Sequence, residues 1–492
     1  MIALLNPASA RWKHRFPLSL MYVGAALENK YPYEIVDQNL NKDALGHLEL
    51  QAARNGLKYL GITVMPGPQL FQAIPISKYL KNKFPNLNIV WGGYFSSLHA
   101  KTVLKSGYVD YVVRGQGDQT FLELVNVLEG NSNARLNDIL GLSYRSNGDV
   151  IQNPHRGPMD PNLMPSLPYH KVEGHRYVGK SCLGTRTAAS YSSFGCPFLC
   201  GFCAIASVYR ARWLAKTPEA IIHEMDELKQ RYHINAVEFF DENFFTSEKR
   251  THEFSERMIG RNLAWWGEGR PDTVMDYTDE TLQAMSRGGC KMIFFGAESA
   301  SEEVLKQMNK GGTQTPDTVL RLAERLKRFN IIPEYSFVFG SPTENVDRDF
   351  NRNMSFIRIV KEINPRAEIV MYMYAPVVFE ESELFQIAQQ HGFQFPQTLD
   401  EWLDPKWHDF DLRKTPVIPW LKPRHYHKFK NFERVLNGYY PTITDYRLTA
   451  KRRTMLKAFA SWRYKLSFYH LPFEIRTLQR LFRYRQPELE GL

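Results

Sequence analysis

Cys196, Cys200 and Cys203 lie in one short segment, Phe194-Gly-Cys-Pro-Phe-Leu-Cys-Gly-Phe-Cys-Ala204, directly after a strand-like run from Ala188 to Ser193. The Cys-x3-Cys-x2-Cys spacing puts three thiols on one loop, enough to hold three irons of a [4Fe-4S] cube and leave the fourth iron open. Such clusters are ordinarily held by four cysteines, so the missing ligand points to a coordination position kept for a substrate or cofactor. The competing readings are a structural zinc knuckle and three unrelated thiols. Zinc wants a closed set of four ligands, and no fourth Cys or His follows closely after Cys203. Of the five cysteines, Cys182 and Cys290 do not extend the spacing; they are expected to be buried thiols outside the site.

A loop with that task must hang from a frame. From Arg186 onward a strand-then-helix pattern repeats about six times, with strands expected at Ala188 to Ser193, Ala236 to Phe240, Ala264 to Glu268, Met292 to Gly296, Tyr335 to Phe339 and Glu368 to Tyr374. Helices are expected at Pro218 to Arg231 and Thr315 to Phe329. Thr217 and Thr278 stand at helix starts, where hydroxyls cap free amides and early acids suit the helix dipole. Six such units fall two short of an eight-fold barrel, and chemistry in barrels sits at the carboxyl ends of the strands.

The cysteine triplet, with an aromatic residue (Phe202) before its last member, resembles the signature of the radical S-adenosylmethionine (radical SAM) family. Four turns at successive strand ends extend the likeness. Asp241-Glu242-Asn243-Phe244 resembles the family's acidic turn near the amino group of S-adenosylmethionine, implying cofactor contacts from Asp241 and Glu242. Gly269-Arg270-Pro271-Asp272 resembles the Arg-containing turn, with Arg270 suited to a carboxylate or ribose. Gly296-Ala297-Glu298-Ser299 is similar to the Gly-x-Glu-Ser turn, and Gly340-Ser341-Pro342-Thr343-Glu344 to the Gly-x-Pro-x-Glu turn. The resemblance thus implies cofactor contacts at Glu298, Ser299, Gly340 and Pro342, cluster ligation by Cys196, Cys200 and Cys203, and a partial (β/α)6 barrel.

Ahead of the barrel, short apolar runs at Ile2 to Leu5, Tyr33 to Val36, Tyr59 to Val64, Asn88 to Trp91 and Tyr108 to Val113 alternate with helical stretches, the pattern of a parallel α/β sheet. Ile74 to Phe84 fits a helix with Pro75 in its first turn, and Thr120 to Leu128 fits another. Glycine-rich turns follow the later strands, where glycine lets the backbone approach a ligand. Gly92-Gly93 and Gly115-Gln116-Gly117-Asp118 resemble the turns of the Rossmann-like cobalamin-binding domain found in one class of these enzymes, which implies cofactor contacts at Gly92, Gly93, Gly115 and Gly117. The Asp-x-His-x-x-Gly motif that supplies a histidine to cobalt elsewhere is missing, so that mode of ligation is not expected. The alternative is a Rossmann-like remnant that holds no ligand. Five prolines between Gln152 and Tyr169 suggest an extended connector. The expected division is residues 1–150 as the cobalamin-binding domain, 151–185 as linker, 186–375 as barrel and 376–492 as a C-terminal cap ending in a basic helical tail.

At 492 residues the chain is long enough for two or three domains, and its apolar and aromatic content is that of an ordinary globular protein. No apolar run reaches transmembrane length, the first residues read as a buried strand rather than a signal peptide, and few, clustered cysteines argue for a reducing compartment. The cytoplasm is the expected location. The formal net charge is +10, and the segment from Arg424 to Leu492, with fifteen Lys plus Arg against five Asp plus Glu, accounts for the whole excess. Its basic, aromatic stretches at Lys451 to Lys465 and Leu478 to Arg485 have helical apolar spacing. They could pack on the barrel with solvated basic faces, lie on a membrane surface or bind nucleic acid; no RNA-binding module is recognisable. Between barrel and tail, Tyr374 to Pro376 and Gly392 to Pro396 resemble recurring family turns, and Trp402, Trp407 and Trp420 read as a packed cap or a substrate lid.

The resemblance implies an enzyme that cleaves S-adenosylmethionine reductively at a [4Fe-4S] cluster to form a 5′-deoxyadenosyl radical. With cobalamin, the implied outcome is methylation of an unreactive carbon of a small-molecule or lipid-like substrate. An external electron donor of flavodoxin or ferredoxin type would supply the electron. The alternatives are radical oxidation, cyclisation or rearrangement without methyl transfer, and a non-catalytic iron–sulfur or cobalamin sensor.

Overall fold

The computed structural model describes residues 1–9, 14–54, 56–310, 312–410, 417–445 and 447–482. The first sheet consists of β1 (Ile2–Asn6), β2 (Tyr33–Asp37), β3 (Tyr59–Thr63), β4 (Asn88–Gly92), β5 (Tyr111–Val113), β6 (Leu142–Ser146) and β7 (Asp149–Gln152) in the order β2-β1-β3-β4-β5-β6-β7. The first five are parallel. Apolar residues of alternate parity pack its two faces: Leu60, Ile62, Ile89 and Trp91 on one, Leu4, Tyr59, Val90 and Val113 on the other. Strand order reverses between β1 and β3, which opens a crevice beyond their carboxyl ends.

Two details differ from expectation. The antiparallel hairpin β6–β7 extends the sheet, turning at Asn147 and Gly148, both with positive φ as a two-residue hairpin turn demands. Pro75 lies inside the helix Pro68–Lys83, not in its first turn. An interior proline removes a helical hydrogen bond, and the buried Leu70, Ala73, Ile74 and Leu80 hold the helix together across it.

The second sheet is all parallel, in the order β15-β14-β13-β12-β11-β8, from β8 (Thr187–Ser190), β11 (Ala236–Phe239), β12 (Ala264–Gly269), β13 (Cys290–Glu298), β14 (Ile332–Phe339) and β15 (Glu368–Met373). This is the six-stranded partial barrel. Val237, Phe239, Trp265, Ile293, Phe295, Tyr335 and Phe337 face its helices in one continuous core; Glu238, Trp266, Glu268, Phe294 and Glu334 have the opposite parity. The expected strand from Ala188 to Ser193 is broken: after β8 the chain bends and starts a separate strand, β9 (Ser193–Gly195), which pairs antiparallel with β10 (Trp213–Ala215). Thr217 and Thr278 do cap their helices, accepting from the Ala220 and Thr281 amides at 3.2 Å each.

After β15 the chain returns over the first domain. Trp402 is buried edge-on to Phe95, with ring centres 5.0 Å apart, and beside Trp407. Helix Pro423–Tyr439 packs on the barrel and carries helix Ala450–Lys465, with Tyr439 and Tyr464 stacked at 4.3 Å. Arg483 to Arg485 of the expected second tail helix lie outside the described residues. No helix among the described residues is long and apolar enough to cross a membrane.

Candidate active site

The three cysteines occupy the loop between β9 and the helix Ala204–Tyr209, which begins directly after Cys203. The break between β8 and β9 aims this loop, and a buried polar knot fixes it. Asp241, beyond the carboxyl end of β11, accepts from the Ser192 amide at 2.7 Å and from the Ser192 and Ser193 hydroxyls at 2.5 and 2.6 Å. Arg250 donates to the Ser192 carbonyl at 3.1 Å and hydroxyl at 2.6 Å. Gly195, at φ +78°, ends the knot; a Cβ there would strike the Arg212 carbonyl. The far side of the loop is held by distant elements. The Gly201 amide donates to the Met308 carbonyl at 2.9 Å, Ser382 Oγ donates to the Gly201 carbonyl at 2.7 Å, and Asn309 Nδ2 donates to the Leu199 carbonyl at 2.7 Å.

The donor set fits an iron–sulfur cluster. None of the three thiols is in a disulfide, and nitrogen donors approach two of them: Asn243 Nδ2 is 3.8 Å from Cys196 Sγ and Arg270 Nη1 3.4 Å from Cys200 Sγ. Burial pushes the Cys196 and Cys200 thiols up and that of Cys203 up to about 12. Thiolates in so dry a place need a metal's positive charge beside them. Cys290 is buried as expected, whereas Cys182 is exposed, because it sits in the irregular segment ahead of β8 rather than on a strand.

Of the strand-end residues picked out by sequence, Asp241, Glu242 and Arg270 touch this loop or its root, and the others lie at the ends of β13 and β14 in contact with protein partners. Asp241 has both oxygens in the serine knot. Glu242 accepts from the Gly195 amide at 3.1 Å and also lines a cavity described below. Arg270 forms a bidentate pair with Asp272, at 3.0 and 2.7 Å, and lies 4.0 Å from the centre of the Phe198 ring. Glu298, at φ +63°, is paired at 2.9 Å with buried Lys310 and accepts from Ser336 Oγ at 3.1 Å. Ser299 Oγ is 3.4 Å from Asn353 Oδ1. The Gly340 carbonyl accepts from Trp420 Nε1 at 2.9 Å, and Pro342 is buried in the same turn. Beside them are buried polar atoms without a protein partner: Asn243 Oδ1, Gln314 Oε1, Ser341 Oγ and Thr343 Oγ1. A cofactor with amine, carboxylate and ribose groups supplies the partners that such atoms otherwise lack.

A cavity of about 600 Å³ separates the mouth of the barrel from the carboxyl ends of the first sheet. Gly92, Gly93, Gly115 and Gly117 all line it, together with Asn6 and Thr63 from the ends of β1 and β3. A Cβ on Gly93, at φ +87°, would come within 2.9 Å of Thr63 Oγ1. From the barrel side come Tyr191, Phe194, Phe240 and Glu242. His14, in the connection after β1, lines the same cavity, and its Nδ1 is buried without a partner, as is Oδ1 of Asp118. Large apolar walls with a few unmet polar atoms suit a bulky ring bearing amide groups. His14, Lys310, Arg250 and Glu268 escape sequence reading because nothing in their local pattern marks them.

Burial raises both Glu242 and Glu268 to about 8. Each folded carboxyl therefore binds a proton that the unfolded chain releases near its ordinary value of 4.5. The stabilisation is complete below that value and is lost as pH rises through about 8. The cofactor-free protein is expected to melt at progressively lower temperature between pH 5 and pH 8, and Glu242→Gln to flatten that slope. A variant slope as steep as the wild type's would contradict the assignment.

Two family models match the chain: the radical SAM superfamily over residues 190–357 and the B12 binding domain over residues 15–125. An uncharacterized methyltransferase of Pyrococcus horikoshii is 30% identical over 333 residues, 67% of this chain and 70% of that protein. An anaerobic magnesium-protoporphyrin IX monomethyl ester cyclase of Rubrivivax gelatinosus is 25% identical over 431 residues, 82% of this chain and 71% of that one. Among solved structures, the radical S-adenosylmethionine methyltransferase TsrM of Kitasatospora setae, with cobalamin and a [4Fe-4S] cluster bound, shares the fold at a TM-score of 0.64 over 98% of each chain, with 16% identity. The chain belongs to the radical SAM enzymes that carry a cobalamin-binding domain. Its cofactors are accordingly a [4Fe-4S] cluster, S-adenosylmethionine and cobalamin.

Proposed function

We propose that the protein methylates an unactivated carbon of a small molecule. The observation that carries the reading is the cavity, which puts the cobalamin-type glycine turns and the barrel mouth on opposite walls of one space. When bound, the cluster would supply an electron to S-adenosylmethionine, and cobalamin a methyl group. Residues 1–150 hold cobalamin through the backbone at Gly92, Gly93, Gly115 and Gly117, 151–185 link the domains, 186–375 form the catalytic barrel and 376–492 cap it. Cys196, Cys200 and Cys203 ligate the cluster. Arg270 and Asn243 orient and stabilise the cluster sulfurs, the charge-assisted donor being the stronger. Asp241 acts through the Ser192–Ser193 knot, as a positioning residue for the cluster loop. Glu242, Ser299, Gly340 and Pro342 bound the S-adenosylmethionine pocket, and Glu298 with Lys310 sets its charge. The apolar walls exclude water and stray hydrogen donors from the reacting carbon. The electron comes from an external flavodoxin- or ferredoxin-type donor.

Gly92→Phe tests this directly. A Cβ at Gly92 meets nothing closer than 3.7 Å, so the side chain can enter the cavity without disturbing the sheet. The variant is expected to bind cobalamin at least about tenfold more weakly, a loss of about 1.4 kcal/mol, while keeping its iron and forming 5′-deoxyadenosine. Wild-type cobalt content in that variant would remove cobalamin from the cavity. The similarity to a cyclase favours one second reading, radical oxidation or ring closure without methyl transfer. Formation of S-adenosylhomocysteine separates the two.

A further inference from the structure

We infer that the two helices following residue 449 form a docking surface for an anionic lipid bilayer, an inference independent of the reading of the catalytic site. Helix Ala450–Lys465 is apolar on two faces. Leu456, Ala460 and Tyr464 pack inward, while Met455, Phe459, Trp462 and, just beyond the helix, Leu466 project outward at spacings of four, three and four residues. The connection to helix Phe473–Phe482 adds Phe468, Leu471 and Phe473, and that helix adds Leu481. Leu466, Phe473 and Leu481 are 73%, 72% and 68% exposed.

This surface is built, not frayed. Arg358 donates to the Tyr464 carbonyl at 2.7 Å, Ser467 Oγ at 2.9 Å and the Tyr469 hydroxyl at 2.7 Å. Buried Arg463 pairs with Glu474 and donates to the His470 carbonyl at 2.6 Å. Leu471 is held at φ +43°, a conformation that a bulky side chain adopts only when its surroundings impose it. Arg358 and Arg463 thus fix the connection through its carbonyls and hydroxyls, and Leu466, Phe468 and Leu471 are held outward on it as a contiguous apolar patch.

Charge selects the occupant. Residues 450–482 contain eight Lys or Arg against a single acid, Glu474, which is already spent on Arg463. Lys451, Lys457, Lys465, Arg476 and Arg480 are exposed around the apolar ridge. Trp, Phe and Leu inserted between headgroups, ringed by cations, is the arrangement with which peripheral helices grip anionic membranes. A protein partner or a second copy would have to meet that charge with an acidic rim; among the residues of this surface none is offered.

The test is sedimentation of the whole 492-residue chain, loaded with cofactors, with phosphatidylcholine vesicles, with and without phosphatidylglycerol. Wild type is expected to pellet with the anionic vesicles only and to be released by raised salt. Phe459→Ser/Trp462→Ser should weaken that partition at least about tenfold, with melting temperature and iron content unchanged. Lys457→Glu/Lys465→Glu should abolish the preference for phosphatidylglycerol. Failure of wild type to bind anionic vesicles would overturn the proposal. So would concentration-dependent dimers broken by the double serine variant, or tighter binding to RNA than to vesicles.

Discussion

Purified without air, a Cys200→Ala variant is expected to contain almost no iron or sulfide and to form no 5′-deoxyadenosine above background, where the wild type holds about four irons. The loss should be that complete because Cys200 is the middle of the three proposed ligands, and its sulfur is the one that Arg270 approaches at 3.4 Å. Without it two thiols remain, and the buried guanidinium keeps Asp272 and the Phe198 ring but loses its sulfur contact. Cys290→Ala is the matching control: that thiol is buried at the start of β13, and its removal should leave the iron in place. Retained iron with normal cleavage of S-adenosylmethionine in Cys200→Ala would defeat the central assignment.

The second large effect belongs to Lys310. Its ammonium lies 2.9 Å from Glu298 and 2.6 Å from the Gly296 carbonyl, and both side chains of the pair are at most 8% exposed. Lys310→Met leaves the carboxylate of Glu298 buried with, among the described residues, the Ser336 hydroxyl as its hydrogen-bond donor. Breaking a buried pair from one side costs about 3–5 kcal/mol, which should appear as a lower urea midpoint for the barrel. Adding Glu298→Gln removes the stranded charge and should restore most of the loss. A single-variant effect below about 1 kcal/mol would mean that the pair behaves like a surface ion pair.

The frame of this molecule is written locally. Apolar runs gave β1 to β4 and β11 to within a residue or two, and the glycines picked out at 92, 93, 115 and 117 all fall on the wall of the cavity, where Gly93 and Gly115 also take the positive φ that favours glycine. The hairpin β6–β7 is marked too, by Asn147-Gly148, but its strands carry Arg145, Ser146, Asp149 and Gln152 and read as loop, because an edge hairpin need bury little. What cannot be read from local pattern is set across long sequence separations. The break between β8 and β9 depends on Asp241, about fifty residues further on. Glu298 reads as a residue that meets cofactor, yet its nearest cation comes from a turn after the next helix. The acidic turn at Asp241 was legible as important and illegible in detail, since a carboxylate that steadies a loop and one that meets an amine look alike in sequence.

The cysteine loop is gripped at Gly201 and Leu199 by Met308, Asn309 and Ser382, and at its root by the serine knot. None of those contacts involves a thiol. Two of these grips come from side chains 110 and 181 positions further along the chain, so the loop cannot take its shape as its own stretch of sequence folds. The closing of the barrel and of the segment after it gives the thiols their places, and loop-closure entropy makes such distant contacts late ones.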